Sequence, residues 1–119
     1  MNKEDLEKLS DFEVNKLVAK SLGIEWHCRP GSKQNSTGGW LFSDNCKGGC
    51  DSLADYCNSP SDMWPLIYES LIETAPLANS DKWKAAGATY SKRGERSVFT
   101  VHHENPLRAA AIVYLLVQE

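Results

Sequence analysis

Cys28, Cys46, Cys50 and Cys57, together with His27, His102 and His103, are the residues whose types most readily do chemistry. Cys46 and Cys50 frame a glycine-containing spacer of three residues, "KGG", which suits one knuckle of a zinc site. A structural zinc normally takes two such pairs. Only one pair is present, with His27, Cys28 and Cys57 nearby in sequence, so no metal is expected. Cys57 stands within "DYCN" and reads as a small buried thiol. As a nucleophile it would need a histidine to lower its pKa and a third group to orient that histidine. His102 or His103 with Asn105 supply the types, but nothing in the spacing brings them to Cys57. The two histidines also point to opposite faces of any strand that carries both. One exposed and one packed histidine are expected, and no catalytic residue is assigned. "GATYSKRGE" lacks the glycine spacing of a phosphate or dinucleotide loop, so no cofactor is expected either.

Arg108 is the main electrostatic oddity. If Asn105 caps a helix, Arg108 falls in its first turn, where a cation opposes the helix macrodipole. Asp62 or Glu104 could compensate, and an internal Asp62–Arg108 pair within a packed core is the favoured reading. The alternative is an anion site built from helix N-termini and the guanidinium, with Asn58, Asp62, Trp64, Asn105 and Arg108 as its residues. A second candidate surface is basic. Lys82, Lys84, Lys92, Arg93 and Arg96 outnumber Asp81 and Glu95, with Trp83 and Tyr90 adjacent. That composition fits a small nucleic-acid footprint. A solvated hairpin with lysines guarding its edge explains it as well and is preferred.

These side chains depend on elements that the pattern outlines. Ser10 and Glu13 spell a capping box, Leu9 and Val14 can staple the turn, and Gly23 supplies a left-handed stop. Val14, Leu17, Val18, Ser21 and Leu22 then form the inner stripe of a helix over 11–22. "IEWHC" (24–28) and "GGWLFSD" (38–44) read as strands joined by turn chemistry, and "LADYC" as a short third strand. Residues 58–71 read as a helix with Ser59 at its cap and Pro60 in its first turn. Pro60, Met63, Trp64, Ile67, Tyr68 and Leu71 share its apolar face. Pro65 requires either a later start or a distorted first turn. "IETAPLANSD" reads as a connector, and 82–90 with 96–103 as a hairpin. A final helix starts at Asn105 or Pro106. The fold class is α+β: a small antiparallel sheet with about three helices, in the order α-ββ-α-ββ-α.

The 119 residues are expected to form a single domain. A net charge of −3 argues against nucleic-acid binding through bulk electrostatics. The opening "MNKEDLEKLSDFE" is polar and acidic, unlike a secretory signal. The apolar run from Ala109 to Val117 is about half the ~20 residues of a membrane helix. It reads instead as a central helix buried on most sides. A soluble intracellular protein with reduced thiols is expected.

Three stretches, "LSDFEVNKLVAKSLG" (9–23), "DYCNSPSDMWPLIYE" (55–69) and "ENPLRAAAIVYLLVQE" (104–119), resemble the phage NinX family of small tailed-phage and prophage proteins. The motifs "DYCN.P.D.WP" and "NPLRAA" carry the resemblance, which covers somewhat under half the chain. It implies a phage-encoded accessory protein in the host bacterial cytoplasm and supplies no activity, catalytic residue or cofactor. The reading favoured at this point is a non-enzymatic protein that binds and modulates a host or phage macromolecule, with a host or phage protein as its partner. The alternative is a domain that sequesters a small anionic ligand or nucleotide through the helix N-termini, Arg108 and Trp64.

Overall fold

A computed structural model describes residues 2–23, 26–28, 41–43 and 54–118. In chain order the elements are α1 (Lys3–Glu7), α2 (Asp11–Ser21), β1 (Trp26–Cys28), β2 (Leu41–Ser43), α3 (Pro60–Glu69), β3 (Glu73–Pro76), β4 (Trp83–Tyr90), β5 (Arg96–His103) and α4 (Pro106–Gln118). The protein is α+β, as its pattern predicts. The short strands β1 and β2 pair antiparallel as a separate sheet, matching the strands expected over 24–28 and 38–44. The main sheet is antiparallel in the order β3-β4-β5.

Three stretches differ from the sequence expectation. α1 adds a helix, closed by a capping box in which Asn2 and Asp5 serve each other's backbone amides. Five residues are too few to show apolar periodicity, so the caps alone define it. β3 replaces part of the supposed connector. Its sequence "ETAP" has little intrinsic strand preference, and pairing with β4 from Glu73↔Ala86 to Pro76↔Trp83 is what extends it. "LADYC" is not a strand where described: Tyr56, Cys57 and Asn58 form a turn leading into α3.

The helix faces also need correction. In α2 the buried residues are Val14, Asn15, Val18 and Ala19, while Leu17 is half-buried and Ser21 and Leu22 are exposed. In α3 the buried residues are Met63, Leu66 and Ile67, whereas Trp64, Tyr68 and Leu71 lie open to solvent. The helix starts at Pro60 despite Pro65, because Ser61, whose carbonyl loses its donor, is on the exposed side. Ser59 holds the cap position without capping a helix amide; its hydroxyl instead bonds the Ser61 hydroxyl at 3.1 Å.

α4 is the centre of the molecule. Every residue from Arg108 to Leu116 is buried. The sheet, α1, α2 and α3 all pack on this helix. The sheet face it covers carries Ala85 and Val101, both fully buried, and Gly87. A Cβ on Gly87 would stand 2.8 Å from Val113 Cγ1, so the missing side chain sets how closely helix and sheet approach. Glu73, Lys84, Ala86, Ala88, Tyr90, Arg96, Val98, Thr100 and His102 occupy the other face by register. No helix among the described residues is long and apolar enough to cross a membrane.

Candidate functional site

Three helices begin near one another, and the ends are tied by polar side chains. At α4, Asn105 Oδ1 accepts from the amides of Leu107 (2.9 Å) and Arg108 (3.3 Å), the cap its position predicts. The Asn105 amide group also donates to the Cys57 carbonyl (2.7 Å) and to Asn58 Oδ1 (3.1 Å). Asn58 Nδ2 in turn donates to Asp11 Oδ2 and Asp55 Oδ1, each at 3.1 Å. From α2, the fully buried Asn15 donates to Asp55 Oδ1 (3.1 Å) and accepts from the Cys57 amide (3.0 Å). The turn before α3 is thus held by side chains from both neighbouring helices.

Arg108 occupies the core side of this network. Its guanidinium donates to Asp11 Oδ1, to the Leu9 carbonyl and to the Glu7 carbonyl at 3.2 Å. The Asp62–Arg108 pair expected from sequence does not form. Asp62 instead accepts from the Asp55 amide at 3.1 Å, bracing the entry to α3. Arg108 can sit in the first turn of α4 because a carboxylate and two carbonyls of the α1–α2 link surround it. Asp11 is in the first turn of α2, where a negative charge is favoured.

The electrostatics follow from these contacts. Burial raises the Asp11 pKa, but hydrogen bonds from Asn58 and Arg108 and the charge of Arg108 outweigh it. The net pKa lies below the usual value, so Asp11 adds stability that is complete above the ordinary carboxylate range. That stability is lost as pH falls through the folded-state pKa. A thermal melt series through the acid range should show the midpoint dropping, with a shallower drop in Asp11→Asn. Burial first, then the nearby Asp11 charge, pushes the Cys57 thiol up to about 12. Cys57 is therefore a neutral packed thiol at physiological pH and not an activated nucleophile.

The structure brings Asn58, Asp62, Asn105 and Arg108 into this one network. Trp64 stands apart, 58 % exposed on the outside of α3. Asp11, Asn15 and Asp55 belong to the network and were not singled out by sequence. Asn15, an uncharged polar residue beside Val14 on the buried side of a helix, was the available signal. His103 is half-buried and accepts from the Asn105 amide at Nδ1 (2.9 Å), while His102 is exposed, the expected split. Among the described residues no group of three or more His, Cys, Asp or Glu side chains could hold a metal ion. Cys46 and Cys50 lie outside the described residues, as do the side chains of His27 and Cys28.

The basic residues are distributed rather than focused. Lys84 pairs with Glu73 at 3.1 Å across the outer sheet face. Arg96 is opposite Tyr90 at the end of the β4–β5 hairpin, Lys92 and Arg93 lie in its turn, and Lys82 precedes β4. Ser91 Oγ accepts from the Arg93 and Glu95 amides and holds that turn, with Gly94 at φ 82°.

The family model described as Bacteriophage P22, NinX matches residues 5–118, nearly the whole chain. The protein belongs to the phage NinX family. Comparison with curated proteins gives no match. The three stretches that carry the sequence resemblance to NinX supply every side chain of the network: Asp11 and Asn15; Asp55, Asn58 and Asp62; and Asn105 and Arg108. In this NinX chain those motifs therefore encode a way of joining three helices.

Proposed function

We propose that this NinX-family chain is a non-enzymatic phage accessory protein that binds a host or phage protein through the outer face of α3. The observation that carries the reading is the exposure of Trp64 (58 %), Tyr68 (74 %) and Leu71 (87 %). Trp64 and Tyr68 are one turn apart on the same helix face. Such aromatic anchors dominate protein interfaces when they enter a partner's pockets. The polar cluster supports the same conclusion from the other side, because an anionic ligand at Arg108 would have to displace Asp11 and two backbone carbonyls.

Leu71 adds an independent argument. The amides of Leu71 and Ile72 bond back to the Tyr68 and Ile67 carbonyls, the closure in which the left-handed position normally belongs to glycine. Leu71 occupies it at φ 54°, in a conformation unfavourable for a bulky side chain. A leucine that costs stability and buries almost nothing is explained if it meets a partner. The partner's groove should be apolar with a neutral or basic rim, since α3 itself carries Asp62 and Glu69 but no Lys or Arg.

Photo-crosslinking from position 68 in phage-infected host cells, followed by purification of the captured protein, supplies the binding assay. Trp64→Ser should weaken that binding by roughly 30-fold or more. Leu71→Gly should weaken it too while raising folding stability by about 1 kcal/mol. Charge reversal at Lys92 and Arg93 should leave it unchanged. Binding that survives Trp64→Ser and Leu71→Gly but is lost on that charge reversal would overturn the reading.

A further inference from the structure

We infer that two copies of this chain pair through the outer edges of β5, extending the sheet to β3-β4-β5-β5-β4-β3. This rests on the sheet and is independent of the partner reading of α3. The two edges of the main sheet are unlike each other. β3 is four residues long, includes Pro76, and carries Glu73 in an ion pair with Lys84. Shortness, proline and charge are the usual protections of an edge. β5 has eight residues, no proline and no lysine, and its register with β4 runs without a bulge from Tyr90↔Arg96 to Trp83↔His103. Among the described residues no strand pairs with its outer side, and β1–β2 forms a separate sheet.

The edge contact that is described fixes the orientation of the backbone. Lys3 Nζ donates to the Thr100 carbonyl at 3.5 Å, so that carbonyl faces away from β4. By antiparallel alternation the amides and carbonyls of Arg96, Val98, Thr100 and His102 all face outward. A two-fold axis normal to the sheet keeps side chains on their own faces, so outward residues must oppose outward residues. Centring that axis on Thr100 sets Thr100 against Thr100, Val98 against His102, and Arg96 beside Glu104 of the second copy, the bend residue that directly follows β5. Arg96 and Glu104 are both exposed and opposite in charge, and symmetry makes the pair twice. A centre on Phe99 would instead oppose Arg96 to His102, and one on Val101 would leave Arg96 opposite Pro106. Complementary charge selects Thr100. The Lys3 contact is long and exposed, and the facing Thr100 amide replaces it.

Sedimentation velocity over a concentration series tests this on the whole chain. The wild type should form a concentration-dependent dimer. Arg96→Glu and Glu104→Arg should each weaken it by about tenfold, and the double variant should restore it. Val98→Pro removes an outward amide, so it should abolish the dimer while leaving the ladder with β4. Circular dichroism melts confirm that each variant is folded. A wild type that stays monomeric at its highest soluble concentration overturns the proposal. So does a dimer that ignores Arg96→Glu and Val98→Pro but dissociates in Trp64→Ser, because that contact would be α3.

Discussion

Replacing Arg108 with alanine should destabilise the protein by about 3–5 kcal/mol, because it removes one member of a largely buried ion pair. The guanidinium is 8 % exposed and its partner Asp11 is 32 % exposed, so water recovers only part of the loss at Asp11. The carbonyls of Glu7 and Leu9 lose a charged donor in the same step. For a chain of this size the change is a large fraction of total stability. In urea the unfolding midpoint should move down by roughly 2 M with little change in slope. Arg108→Lys should recover part of the loss, since one ammonium keeps the charge but cannot match the planar fork that reaches three acceptors. A folded alanine variant of unchanged midpoint would show that Arg108 does not hold α1, α2 and α4 together. It would restore the case for Arg108 as a ligand residue.

The second large effect is expected at Ile112. It is fully buried on α4, with the sheet on one side and other helices around it. Truncation to alanine generally costs 2–5 kcal/mol, and the figure rises with the volume that neighbours fail to refill. Around Ile112 the neighbours are restrained: Gly87 already brings the sheet close to Val113, and Ala109, Ala110 and Ala111 are fully buried. Little collapse is available, so Ile112→Ala should fall in the upper half of that range, about 4 kcal/mol. Denaturant unfolding measures it directly. Because Ile112 and Arg108 serve the same helix, the double variant also tests whether their losses add.

The parts of the fold legible in sequence were those with local chemical punctuation. Ser10 and Glu13 start α2, Gly23 at φ 80° stops the chain after it, and Asn105 starts α4, each by a bond within a few residues. The alternation in 96–103 was legible for the same reason: Phe99, Val101 and His103 face inward more than Val98 and His102. Decisions made at a distance were not legible. Trp64 and Tyr68 have the spacing of core residues, but α4 already has the sheet and other helices around it. The covered face of α3 is instead Met63, Leu66 and Ile67. Arg108 could have met Asp62 or Glu104 on pattern alone, and the choice of Asp11 depends on how α2 crosses α4. β3 owes its extension to β4 rather than to its own residues. The candidate site was half legible: Asn58, Asp62, Asn105 and Arg108 were marked as a group, while the acceptors that occupy them came from α2, read only for its helicity, from the unread stretch ahead of it, and from "LADYC", read as a strand.

The central position of α4 also governs the order in which the chain can mature. Arg108 and Asn105 close contacts with residues 97 and 48 positions earlier, respectively. During synthesis the earlier helices and the hairpin emerge before the segment they surround, with Leu6, Val14, Val18 and Met63 still lacking their buried neighbours. Native assembly must therefore wait until residues 106–118 have left the ribosome. Until then, folding is limited by elongation, and the nascent chain presents its future interior to whatever chaperones attend it.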